Sequence, residues 1–126
     1  RSIISTLPIH HKATLVSTIL NQGKRKNGNQ TTGEVYSTYT QICKRFNLTD
    51  LSQRRVTHII SELDMQGLIN AKIVSLGRQG RTKFINVAID ENQVKELFEE
   101  DSFLSDIMKE LTKSGKYIGS TQMRLI

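Results

Sequence analysis

Leu51-Ser-Gln-Arg-Arg-Val-Thr-His-Ile-Ile-Ser-Glu-Leu-Asp-Met-Gln-Gly67 runs into Leu68-Ile-Asn-Ala-Lys-Ile-Val-Ser-Leu-Gly-Arg-Gln-Gly-Arg-Thr-Lys83, and this stretch decides the fold. Val56, Ile59, Ile60 and Leu63 fall at i, i+3, i+4 and i+7, one apolar stripe of a helix. Ser52 suits the N-cap, because its hydroxyl can accept an otherwise orphan backbone N–H. Leu51 before it is placed to pack on Val56 and so fix the helix's angle of approach. Gly67 closes the helix, since a residue without Cβ takes the left-handed conformation freely. At about 100° per residue the opposite face carries Arg54, His58, Ser61 and Met65, with Arg55 and Thr57 at its flanks. A cationic, hydrogen-bonding face at a helix start suits base edges and phosphates in a major groove. Two arginines on a helix equally make an ordinary solvated face, so the helix alone leaves both readings open.

The following residues shift that balance. Ile69, Ala71 and Ile73 alternate, as do Ile85, Val87 and Ile89, so each run reads as a half-buried strand. Between them Gly77-Arg78-Gln79-Gly80-Arg81-Thr82-Lys83 makes a tight tip that crowds three cations. Like charges on one loop repel, an arrangement that favours an anionic visitor. A helix followed by a basic β-wing is the winged form of the helix-turn-helix. The fold class is therefore α+β, mostly α, with a hairpin wing and a C-terminal helical extension.

Upstream, Thr31 and Glu34 have capping-box spacing, which starts a helix near Thr32. Val35, Tyr39, Ile42 and Phe46 form its stripe, widened by Tyr36 and Cys43. The turn from Asn47 to Leu51 then makes the crossing helix pair in which the first member braces and the second reads. Further back, Pro8 suits a first helical position, and Ile9, Ala13, Val16, Ile19 and Leu20 give another stripe. Gly23 and Gly28 have P-loop spacing, but Asn29 and Gln30 follow where Lys and Ser/Thr would have to stand; Gly28 and Gly33 fail likewise. Lys24-Arg25-Lys26 reads as a surface loop. Downstream, Asp90 and Gln93 repeat the capping-box spacing. Val94 through Leu111 predict one long amphipathic helix, or two with a break near Ser102-Phe103, carrying an acidic outer face. Gly115 is expected to end it, and the residues from Ser114 lack periodicity, as a flexible tail would.

The net charge of +6 is uneven. Residues 1–89 hold 13 Lys and Arg against 4 Asp and Glu, whereas residues 90–113 hold 3 against 8. That asymmetry suggests one side facing nucleic acid and an acidic side turned elsewhere. Cys43 is single, so it forms no internal disulfide, favouring a reducing intracellular setting; it reads as a packed thiol. His10 and His11 are adjacent and so point about 100° apart in a helix, and with no ligand spacing to Cys43 or His58 no metal site is expected. The histidines read as solvated or locally bonded. No apolar run approaches a membrane span, and no nucleophile–base–oxyanion constellation supports catalysis. The chain opens on Arg1 without an initiator Met, so residues 1–7 read as a lead-in, 8–113 as the domain and 114–126 as the tail.

Leu51-Ser-Gln-Arg-Arg-Val, Ile60-Ser-Glu-Leu-Asp-Met-Gln-Gly-Leu-Ile-Asn-Ala71 and Gly77-Arg-Gln-Gly-Arg-Thr-Lys83 resemble the C-terminal winged-helix domain of the archaeal origin recognition complex subunit 1 / cell division control protein 6 family. Leu7-Pro-Ile-His10 and Thr32-Gly-Glu-Val-Tyr36 extend the resemblance to roughly residues 3 to 100. It implies binding of origin recognition boxes in duplex DNA during replication initiation, in the cytoplasm at the nucleoid. ATP and Mg²⁺ would belong to an AAA+ module upstream in full-length relatives, and no cofactor is expected here. Partners implied besides origin DNA are other initiator paralogues and the replicative helicase. The expected contacts are Ser52, Gln53, Arg54, Arg55, Thr57, His58 and Ser61 of the helix and Arg78, Gln79, Gly80, Arg81, Thr82 and Lys83 of the wing. The alternatives are a winged helix used for protein docking and a transcription regulator of the same fold.

Overall fold

A computed structural model describes residues 7–23, 29–75 and 77–114. Of the expected lead-in over residues 1–7 only Leu7 is described, and it is buried in the core; residues 1–6, the Lys24-Arg25-Lys26 loop, and Gly115 with the tail after it lie outside the described residues. In chain order the elements are α1 (Ile9–Gly23), β1 (Gln30–Thr31), α2 (Thr32–Arg45), α3 (Gln53–Met65), β2 (Ile69–Ser75), a 3₁₀ turn (Gly77–Gln79), β3 (Arg81–Val87), α4 (Glu91–Glu100) and α5 (Ser102–Ser114).

α1 is the post around which the rest packs. It touches α2, α3, β1 and β3, and every residue from Ala13 to Asn21 is buried. The apolar stripe of the sequence is therefore only part of its contact surface. Three hydroxyls on the other faces tolerate burial by donating to carbonyls four residues back: Thr14 to His10 at 2.8 Å, Ser17 to Ala13 at 2.8 Å and Thr18 to Thr14 at 3.0 Å. Asn21 is held by partners beyond α1. It donates to Gln30 Oε1 at 2.9 Å and to the Glu34 carbonyl at 3.2 Å, and accepts from Thr38 Oγ1 at 2.7 Å. Gln30 in turn donates to the Thr18 carbonyl at 2.9 Å. Ile9, expected within the stripe, is 41% exposed, because it precedes the level at which α2 and α3 close over the helix. Pro8 stands one position outside α1, where its carbonyl accepts the first N–H, from Lys12 at 3.1 Å.

The helix ends are closed as the sequence predicts. Thr31 and Glu34 form the reciprocal capping box of α2, and Ser52 accepts from the Arg55 N–H at 3.2 Å at the start of α3. Both helices stop on a left-handed residue, Asn47 (φ 57°) after α2 and Gly67 (φ 80°) after α3. In each, the N–H one residue further on returns to the helix, Leu48 to Cys43 at 2.8 Å and Leu68 to Leu63 at 3.0 Å. A Cβ at Gly67 would meet nothing within 4 Å, so Gly67→Ala is felt through backbone conformation alone. That substitution is expected to lower stability by about 1–2 kcal/mol in a chemical denaturation experiment; an unchanged midpoint would mean that the helix does not need a left-handed stop.

The sheet is antiparallel in the order β1-β3-β2, with Gln30 opposite Ile85 and the hairpin paired from Ile69–Val87 to Ser75–Arg81. Burial fades along the hairpin. Ile69 and Ile85 are fully enclosed and Ala71 and Val87 half so, while Ile73 is 61% exposed. Alternation predicted a half-buried residue at Ile73, but the helices stop short of that level and the outer hairpin stands clear as a wing. Beyond it α4 and α5 are separate helices broken at Asp101, the second of the two arrangements the sequence allowed. Val94, Leu97, Phe98, Leu104 and Ile107 seal them to the core, and Phe46 meets Phe103 edge-on at 5.8 Å. The architecture is a mostly helical winged helix-turn-helix with a helical extension.

Candidate nucleic-acid interface

The apolar side of α3 is closed. Val56, Ile60 and Leu63 have no exposed surface, and Ile59 has 4%. The stripe leaves the other face to solvent: Ser52, Gln53, Arg54, Arg55, His58 and Ser61 are exposed, and Thr57 is half-buried. The Thr57 hydroxyl donates to the Gln53 carbonyl at 2.9 Å, so toward a ligand it has only lone pairs to offer. Met65, 86% exposed, ends the same face. Glu62 lies within the field of Arg55 and His58 on this face, and His11 of α1 engages it, with Nε2 at 2.6 Å from Oε1. That hydrogen bond, ahead of the fields of His11, Arg55 and His58, holds the Glu62 carboxyl below its ordinary pKa. Drawing the carboxylate toward α1 leaves the arginines less neutralised than their spacing from Glu62 suggests.

On the wing the 3₁₀ turn is closed by the Gly80 N–H to the Gly77 carbonyl at 3.0 Å, with Gly77 (φ 66°) and Gly80 (φ 89°) both left-handed. Glycine, lacking a Cβ, adopts such angles at the least cost, which suits this pair to the tip. Arg78, Gly80 and Arg81 are exposed, and Thr82 and Lys83 half-buried. The Gln79 side chain lies outside the described residues. Regular alternation from the enclosed Ile85 puts Lys83 and Arg81 on the core-facing side of the sheet, and Thr82 on the opposite face with Phe84. Arg81 and Lys83 thus stand on the same face as Ile85, beyond the end of the core. Among the described residues none of Arg54, Arg55, Arg78, Arg81 and Lys83 belongs to an ion pair. Two open cationic surfaces therefore sit on elements whose undersides are fixed.

The start of α3 is held from behind. The Tyr36 hydroxyl donates to the Leu51 carbonyl at 2.9 Å, and the Leu51 N–H donates to the Tyr39 hydroxyl at 2.9 Å. That hydroxyl lies 2.8 Å from His10 Nδ1. The sequence placed Tyr36 and Tyr39 in a core stripe without a further role. The available signal was chemical: a buried tyrosine, unlike phenylalanine, needs a partner for its hydroxyl. His10 and His11 were read as solvated or locally bonded, yet each reaches a different helix, because burial of α1 brings α2 and α3 within range. Among the described residues no cluster of His, Cys, Asp or Glu could hold a metal ion, and no helix is long and apolar enough to cross a membrane. Cys43 is buried, and burial pushes its thiol pKa up.

Comparison with known proteins agrees with this geometry. The family model described as CDC6, C terminal winged helix domain matches residues 2–97. The chain is 41% identical over 106 residues to the ORC1-type DNA replication protein 1 of Sulfurisphaera tokodaii, covering 83% of this chain and 26% of that protein. With the ORC1-type DNA replication protein of Thermococcus onnurineus it shares 43% identity over 108 residues, 84% of this chain and 25% of the relative. A solved structure of the Aeropyrum pernix ORC1 protein in complex with DNA is similar with a TM-score of 0.69 at 34% identity, over 83% of this chain and 27% of that one. The chain thus spans about a quarter of the length of these relatives.

Proposed function

Because the chain belongs to the CDC6 C-terminal winged-helix family, we propose that it binds duplex DNA at replication origins, reading origin recognition boxes with α3 and gripping the backbone with the wing. The observation that carries the reading is the pairing of two solvent-facing cationic surfaces, on α3 and on the wing, without acidic partners in an ion pair. Ser52, Gln53, Arg54, Arg55, Thr57, His58 and Ser61 meet the major groove. Arg to guanine is the commonest specific contact there. Arg78, Gln79, Gly80, Arg81, Thr82 and Lys83 track the backbone or enter the neighbouring minor groove, where narrow A·T tracts attract arginine. The ORC1 protein of Aeropyrum pernix, solved with DNA, supports DNA as the ligand. ATP and Mg²⁺ serve an AAA+ module in the longer relatives, and this domain contributes binding without catalysis. Other initiator copies and the replicative helicase are the protein partners.

Footprinting of the chain on an origin duplex and on a scrambled one tests this. Arg54→Ala should cost about 1–3 kcal/mol on the origin duplex and flatten the sequence preference, as the loss of a base contact does. Arg81→Ala should weaken both duplexes alike and reduce the log–log salt slope by about 0.9, as the loss of a phosphate contact does. If wild type and both variants bind the origin duplex equally, the assignment is wrong. Salt-insensitive binding to a protein partner would instead favour a docking role.

A further inference from the structure

Leu51 immediately precedes the N-cap of α3, and both of its backbone polar groups end on tyrosine hydroxyls of α2. The Tyr39 oxygen receives the Leu51 N–H, and its own proton has His10 Nδ1, 2.8 Å away, as a partner when that nitrogen is bare. A neutral ring with its proton on Nε2 completes that order, and the depressed His10 pKa favours the neutral form. Tyr39 is fully buried, so neither it nor the hydrogen bond it makes to Leu51 meets a ligand directly. The chain of bonds nevertheless runs from α1 through α2 to the turn from which Ser52, Arg54 and Arg55 project.

We propose that Tyr39 and His10 are positioning residues for α3: their hydrogen-bond chain to Leu51 sets the angle at which the first turn of α3 meets a groove, and so tunes sequence discrimination from a place that touches no DNA. This rests on the reading of α3 as the groove-facing helix. Discrimination needs base-edge hydrogen bonds of defined geometry, whereas phosphate contacts tolerate small rotations. A loosened Leu51 therefore weakens the origin duplex while leaving a scrambled one nearly unaffected.

The chain also responds to pH. Burial first, and His11 second, hold the His10 pKa below the ordinary histidine value, against an opposing pull from Asp50. The other ionisable groups around the pair are His11 on α1, Cys43 on α2 and Asp50 on the turn before α3. Protonation turns Nδ1 from acceptor to donor and takes away the acceptor of the Tyr39 proton. Because the folded pKa is depressed, the stabilisation is complete above the unfolded value of about 6.5 and is lost as pH falls below it.

The test compares affinities of the 126-residue chain for origin and scrambled duplexes. At about pH 7.5, Tyr39→Phe should lower the origin-to-scrambled affinity ratio about 3- to 10-fold, the worth of one net hydrogen bond. Scrambled-duplex affinity and salt slope should stay as in wild type. His10→Asn keeps an oxygen acceptor near the Nδ1 position and does not titrate. It should retain the ratio at about pH 7.5 and hold it as pH falls through the depressed His10 pKa, where that of wild type drops. An unchanged ratio in Tyr39→Phe, or a parallel loss on both duplexes, overturns the proposal. If Tyr39→Phe does not fold, His10→Leu removes the acceptor alone and is read the same way. Amide hydrogen exchange of Leu51 in the free protein separates the two levels. Wild type that fails to distinguish the duplexes sinks the origin reading, while unchanged Leu51 exchange in Tyr39→Phe sinks the clamp itself.

Discussion

Asp101→Ala is expected to lower the unfolding free energy by about 3–5 kcal/mol, the loss that follows when one member of a buried ion pair is deleted. Asp101 Oδ2 meets Lys12 Nζ at 2.6 Å, with side-chain exposures of only 7% and 15%. The other carboxylate oxygen caps α5, accepting from the Phe103 and Leu104 N–H groups at 2.9 and 3.2 Å. Alanine thus leaves an ammonium nearly enclosed and uncaps the last helix at once. Lys12→Met should be milder, since the carboxylate keeps its two amide donors. Urea denaturation of both single variants and the double variant reads the coupling directly. A loss below about 1 kcal/mol for Asp101→Ala would put the pair with ordinary surface ion pairs. Burial alone would raise the Asp101 pKa, but the Lys12 ammonium and the two amides outweigh it and hold the carboxyl below its ordinary value. Its contribution is therefore complete above the unfolded value of about 3.9 and disappears as pH falls through the folded one.

Asn21→Leu carries the second large effect. Leucine is close in size and suits burial, so packing changes little. What changes is that the buried Gln30 Oε1 and Thr38 hydroxyl lose their bond to Asn21, and the half-buried Glu34 carbonyl loses one of its contacts. Each buried polar group left unsatisfied costs about 1–3 kcal/mol, so a loss of about 2–6 kcal/mol is expected. Thermal and urea unfolding should both register it, and a neutral result would show that water reaches these groups. The loss propagates to the interface, because Gln30 anchors the short strand β1 that flanks β3 of the wing.

Much of this molecule is written locally, and the parts that are not share a cause. The stripe Val56–Leu63, the Ser52 cap, the stop at Gly67 and both capping boxes each involve residues within two turns of one another, so spacing alone reveals them. The basic wing tip is equally legible, because glycine and cation placement are properties of a few adjacent residues. Strand β1 is not, since two residues, Gln30 and Thr31, have no period of their own and become a strand only where β3 passes. The pairing of His11 with Glu62 spans 51 positions and that of His10 with Tyr39 spans 29, so no local pattern announces either. The exposure of Ile73 depends on how far the helices extend above the sheet, which strand alternation does not encode. The side chains proposed for DNA contact were legible as a face, and their common basis is that the opposite stripe must be buried.

Among the described residues β2 pairs only with β3, so its outer rim keeps one row of backbone N–H and C=O groups unspent over seven residues. Such a rim is a template on which a stranger's extended segment could lie, and the nearby bare Ile73 would add adhesion. Lys72 sits in the middle of that row, and a like-charged neighbour would have to bring its own lysine alongside. The same hairpin that offers charge to a polyanion thereby discourages its own copies from stacking edge to edge into aggregates.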